Sequence, residues 1–348
     1  MRDTLLGMRA LLGLCLAFSA LCLPALAQES DPAVKLPSQM PTTGFGAMQF
    51  IPDVELPRID GAGMLKLSDL RGQKVLLIHF ASWSAASREA VSAWHLATAE
   101  LRAAKKLTLV GVVQEQNPEH AQLFAQWHAI DWPILWDAFH LLDLEQVPLV
   151  CALDGYGQVR GTSFDPARVE LAGGLHGSFV EPVFHEPIIY PRAENLLHQD
   201  LVYIQDPRSG TALAALQALG LMVYRSRLPG VEAELFDHGV KQLGLWAARE
   251  EALAADLFRL GVALRLRWDS PFAHPEDFAA SLSAWNAALK LDPGQFIWQQ
   301  RLALWQASEA TSDAYSWTAA AQASIRARGE EPIRLRMNPT PSSPQSPR

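Results

Sequence analysis

The sequence predicts two folded parts in tandem, an α/β layer followed by an all-α, repeat-like helical domain. Length is the first reason: 348 residues exceed one ordinary domain. Alternation is the second, because strand-like and helix-like stretches succeed one another between residues 50 and 164, as in a parallel sheet with helical crossovers. The third is a change of period, since from Thr211 onward the pattern is helical. With 49% hydrophobic and 19% charged residues and a net charge of −8, the composition excludes general disorder and gives no polybasic surface for a nucleic-acid partner.

Residues 1–27 have the order of a secretory signal peptide. Arg2 and Arg9 precede the apolar run Ala10 to Leu23, and Pro24 and Ala25-Leu26-Ala27 follow. That run is shorter than the ~20 residues that span a bilayer, and no later stretch reads as transmembrane. The expectation is therefore an exported, most simply periplasmic protein with no integral membrane segment after cleavage. Secretion, or lipid anchoring through Cys22, is the lesser alternative. Export removes Cys15 and Cys22 and leaves Cys151 alone, which excludes an internal disulfide or a multi-thiolate zinc site.

Residues 28–49 are rich in Pro, Ser and Thr and read as a flexible leader. In the α/β part, residues 50–164, Val75 to Ala81 is a buried strand by content and Ser84 to Lys105 a helix. Leu107 to Val113 is again a strand, and Glu119 to Ile130 a helix opened by Asn117-Pro118. Leu149 to Leu153 and Gln158 to Thr162 flank Asp154-Gly155-Tyr156-Gly157, whose Asp-Gly pair predicts a tight antiparallel hairpin. Residues 165–200 form a Pro/Gly-rich connector. Helices are expected near 211–224, 231–247, 249–267, 277–290, 294–309 and 312–327, within a helical domain over 201–327. Residues 328–348, rich in proline, read as a disordered tail.

Several ordered segments carry a family resemblance: Ile51-Pro52-Asp53 with Leu56-Pro57, Leu67-Ser68-Asp69-Leu70-Arg71-Gly72, the strand end Phe80-Ala81-Ser82-Trp83, and Val147-Pro148 before the hairpin. In this order they resemble the exported thioredoxin-like oxidoreductases of the TlpA/ResA type and the neighbouring redoxins. The resemblance implies a Cys-x-x-Cys opening the first long helix, where the helix N-terminus lowers a thiol pKa. Here those positions are Ser84 and Ser87, and a serine neither ionises in that field nor exchanges disulfides. The site is thus a degenerate redox site with no catalytic residue. The resemblance also implies a cis-proline at Pro148 and a peptide-docking face formed by Trp83, Ser84, Val147 and Pro148.

Other residues have structural readings beside functional ones. Ser84 suits a helix cap, and neither His79 nor His95 has a sequence reason to serve it as a base. Cys151 reads as a small buried hydrophobe, with a reactive thiol as the alternative. His176, His185 and His198, near Glu181 and Glu186, are spaced too irregularly for a metal motif, so no metal and no cofactor is assigned. Trp127, Trp132, Trp136, Trp285, Trp298, Trp305 and Trp317 read as core. Residues 253–293 resemble one tetratricopeptide unit, with Gly261 and Ala263 at a close helix contact and Asp292-Pro293 ending the second helix. The function expected is a protein- or peptide-binding or assembly factor in the exported compartment. The rivals are a divergent redoxin working through Cys151 or partner cysteines and, more weakly, a metallochaperone.

Overall fold

The structure is a computed structural model; it describes residues 51 and 53–162, Pro166, and residues 233–306 and 313–335. All of these belong to one compact unit. The signal peptide, leader, connector, connector histidines and the expected helix at 211–224 lie outside the described residues.

The α/β part opens with a two-stranded ribbon, β1 (Glu55–Pro57) and β2 (Met64–Lys66), paired antiparallel. Lys66 and Asp53 form a buried ion pair at 3.1 Å, and Asp53 also accepts from the Ser68 N–H at 2.8 Å. The main sheet contains β3 (Val75–Phe80), β4 (Thr108–Val113), β5 (Ile134–Trp136), β6 (Leu149–Leu153) and β7 (Val159–Thr162), in the order β5-β4-β3-β6-β7. The β3-β4 and β4-β5 pairs are parallel, whereas β6 and β7 run antiparallel to their neighbours. A βαβ unit joined to an antiparallel hairpin on the other side of its first strand is the thioredoxin-like arrangement, here extended by β5. Every residue of β3 and β6 is buried, which matches their near-continuous apolar content.

Helix α1 (Ala85–Ala97) buries Val91 and Trp94. The single helix expected over Ser84 to Lys105 is divided at Thr98, whose hydroxyl donates to the Trp94 carbonyl at 2.6 Å, and continues as α2 (Ala99–Ala103). Helix α3 (Glu119–Trp127) sets Ala121, Leu123 and Phe124 inward. Gly111 on β4 is required by packing: a Cβ there would lie 2.8 Å from the Trp132 ring and 3.0 Å from that of Phe80. In the β6-β7 turn the positive φ falls at Gly157 (81°), not at the Asp-Gly pair. The Asp154 carboxylate shapes the turn, accepting from Tyr156 N at 2.8 Å and Gln158 N at 3.0 Å.

The second part contains α4 (Ala233–Ala247), α5 (Ala254–Trp268), α6 (Asp277–Leu291), α7 (Phe296–Gln306) and α8 (Thr318–Ala327). Helices α5 and α6 pair closely at Gly261, where a Cβ would meet the Ser281 carbonyl at 3.0 Å. Arg267 clasps the buried Asp277 through two hydrogen bonds, 2.9 and 2.6 Å, and reaches Asp237 on α4 at 2.8 Å. Phe258 stacks on Trp298 and meets Trp285 edge-on, with centroids 4.4 and 4.6 Å away.

Helix α8 lies against α3, with Trp317 touching Phe124 and Trp127. Residues 328–335, expected as the start of the tail, instead pack beside α3. Arg328 donates to the carbonyls of Trp127 (2.9 Å) and Gln126 (2.7 Å), and Ile333 N donates to the Gln126 side chain at 2.9 Å. These bonds satisfy the carbonyls at the end of α3, something proline-rich composition does not register. Among the described residues, no helix is long and apolar enough to cross a membrane.

Candidate functional site

The carboxyl end of β3 delivers Ser82, Trp83 and Ser84 to the start of α1. Ser84 is extended (φ −90°, ψ 119°), and its hydroxyl accepts from the Ser87 N–H at 3.2 Å, the geometry of an N-cap. Ser87 is fully buried, and its hydroxyl has no hydrogen-bond partner. Ser84 and Ser87 therefore both stand at a helix N-terminus that would favour an anion. The residues supplied there are hydroxyls, one of them engaged in capping.

No histidine activates these serines. His79 is fully buried, its ring nitrogens hydrogen-bond to nothing, and burial pushes its pKa down to about 3. The Nδ1 of His95 is engaged by the Trp132 indole at 3.1 Å. A Ser-His nucleophile needs the two side chains within hydrogen-bond reach, and that pairing is absent among the described residues.

The peptide bond between Val147 and Pro148 is cis. Of the four expected docking residues, Trp83 and Val147 are buried, while Ser84 and Pro148 are half-buried. Trp83 is covered by the second part of the chain, with the Phe296 ring tilted against it at 6.3 Å. Cys151 sits on β6 opposite Leu77 with 0% exposure, and burial pushes its thiol up to about 12. That environment suits a small apolar residue and gives almost no thiolate near neutral pH.

Helix α7 makes further contacts with this end of the sheet. Arg301 is buried and donates to the Ala138 carbonyl at 2.8 Å and to the Gln116 side chain at 2.7 Å. Its guanidinium also lies over the rings of Phe258 and Trp285, 5.1 and 5.2 Å from their centroids. The Trp298 indole donates to His140 Nδ1 at 3.0 Å. Glu115 accepts from the Ser82 N–H, and burial raises its pKa to about 7 against the pull of Ser82 and Arg301. Arg88 flanks the site, donating to the Ser82 carbonyl at 2.6 Å and lying over Trp317.

Sequence reading missed Glu115, Gln116 and Arg301. The first two stand in Gln114-Glu115-Gln116, a polar run directly after an apolar strand, which is a visible but weak signal. Arg301 gives none, because an arginine among tryptophans on a helix reads equally as solvent-facing. Among the described residues, no group of three or more His, Cys, Asp or Glu side chains is placed to hold a metal ion.

The sheet order and the helix opening at Ser84 define a thioredoxin-like α/β protein carrying an additional helical part. No family model matches the chain, and no curated protein does. Solved structures similar to it include one assigned as a protein disulfide isomerase from Bacteroides thetaiotaomicron, 18% identical, covering 38% of this chain and 89% of that one, with a TM-score of 0.35. Another is assigned as the thiol:disulfide interchange protein DsbE from Chlorobium tepidum, 24% identical over 38% and 95% of the two chains, TM-score 0.33. A thiol-disulfide oxidoreductase from Bacteroides fragilis is 18% identical over 36% and 98%, TM-score 0.32.

Proposed function

We propose that this chain is an exported protein- or peptide-binding and assembly factor built on a thioredoxin-like fold that has left thiol chemistry behind. The observation that carries this reading is the start of α1. Ser84 caps the helix and Phe296 packs against the adjacent Trp83, and the sequence resemblance assigns Ser84 and Ser87 the positions of a reactive pair. A surface that meets disulfide substrates needs an exposed sulfur; this one instead seats part of the same chain. A partner would meet the margin that stays accessible, where Ala85 and Ala86 are exposed and Ser84 and Pro148 half-buried. Export rests on the pattern of residues 1–27.

The rival oxidoreductase reading rests on Cys151 or on a partner's cysteines, and Cys151 is buried, with its thiol raised by burial to about 12. Purified protein should therefore neither reduce insulin disulfides nor consume peroxide in a thiol-coupled assay. Turnover that disappears in Cys151→Ala would replace the binding reading with the enzymatic one.

A further inference from the structure

A cleft opens where the β4-α3 loop faces α7, lined by Trp83, Gln116, His120, Arg301, Trp305 and Tyr315 among others, with no Asp or Glu in its wall. Four donors on these residues are buried without an acceptor: Trp83 Nε1, Gln116 Nε2, Arg301 Nε and Trp305 Nε1. Trp83, Gln116 and Arg301 are each more than nine-tenths buried. Buried donors are ordinarily satisfied, so unmatched donors around one cleft call for an acceptor. The walls are flat and aromatic, with His120 stacked on Tyr315 at 3.8 Å.

We propose that this cleft binds a carboxylate group, with Arg301 as its counter-charge and the Trp83, Gln116 and Trp305 N–H groups as its donors. A carboxylate is planar and accepts only, which suits a slot of aromatic faces and donors. Its single charge matches the one guanidinium in the wall, whereas a phosphate dianion would bring excess charge beside Glu115. The carboxylate comes from a peptide C-terminus or from a free organic acid. This deepens the binding reading, and because it is measured by ligand titration it stands or falls separately from the thiol assays.

Proton linkage follows from the neighbours. Glu115 lies close enough to feel Arg301, Arg88 and Glu119, and Arg301 also feels Asp137 and Tyr315. The Asp137 carboxylate is already engaged by Leu141 N, Leu142 N and Gln114. Burial holds His120 neutral, with its pKa near 4. As Glu115 ionises it competes for Arg301, so carboxylate affinity should fall as pH rises through about 7.

The test titrates the full chain with sodium acetate, with an N-acetylated tripeptide bearing a free carboxylate, with the same tripeptide as its C-terminal amide, and with inorganic phosphate. The readouts are the assigned indole N–H resonances of Trp83 and Trp305. Acetate and the free-acid peptide should move both resonances and the amide should not. Tighter binding of the peptide identifies a C-terminus as the source; equal binding identifies a free acid. Trp83→Phe and Trp305→Phe, which keep a ring and remove a donor, should each weaken binding about tenfold if the parent Tm is retained. Equal response to amide and acid, preference for phosphate, or no response to any probe would overturn the proposal, and the parent protein alone decides this if the variants fail to fold.

Discussion

Ser84 shows how one hydroxyl fixes the start of a helix. Its hydroxyl satisfies the Ser87 amide, so Ser84→Ala should cost about 1 kcal/mol in urea denaturation. The capping role was legible in the sequence from residue type alone. The double change Ser84→Cys with Ser87→Cys should yield an intramolecular disulfide on oxidation; two free thiols would contradict the helix register. Glu115 was not legible, because its importance comes from its burial at the end of the sheet. With its pKa raised from 4.5 to about 7, the folded state holds a proton that the unfolded state releases. Stability contributed by this group is therefore present at low pH and lost as pH rises from 4.5 to 7, by about 3 kcal/mol. Buried His79, His120 and His140, whose pKa values are lowered, act in the opposite sense below pH 6.5. The difference between parent and Glu115→Gln across pH 5–8 isolates the carboxylate, and the variant should gain relative stability as pH rises. A difference that does not change with pH would contradict the raised pKa.

At the scale of elements, strands β3, β4 and β6 were readable because buried strands are continuous apolar runs. Strand β5 had no bounds readable in the sequence: Ile134–Trp136 is only three residues long, and Trp136 with Trp132 also fits helical spacing. The break at Thr98 was equally hidden, since it depends on a hydroxyl bonding back to Trp94 within an otherwise helical sequence. The α5-α6 pair was foreseen from Gly261, and its geometry gives a prediction opposite to propensity. Gly→Ala inside a helix ordinarily gains up to about 1 kcal/mol. Here the added methyl meets the Ser281 backbone at 3.0 Å, so Gly261→Ala should destabilise by about 1–3 kcal/mol. A stabilised variant would show that the two helices can separate without cost.

For the whole molecule, the change of sequence period marks an α/β part and a helical part but not how they meet. Arg301, Trp298 and Arg328 reach from the helices to backbone and side-chain groups of the α/β part, and such pairings have no periodic signature in sequence. The four prolines and glycine pair between residues 165 and 192 predict proteolytic cleavage there. Given the buried bonds across the junction, the nicked halves should still co-elute in native buffer and separate only in denaturant. The face beside Ser84 is packed by Phe296 from the chain's own helix α7. Selective labelling of the full chain tests this through nuclear Overhauser contacts between the Trp83 and Phe296 rings, whose centroids lie 6.3 Å apart. Clear cross-peaks, with Trp83 shielded from acrylamide quenching, are the predicted result; absent cross-peaks with a freely quenched Trp83 would contradict it.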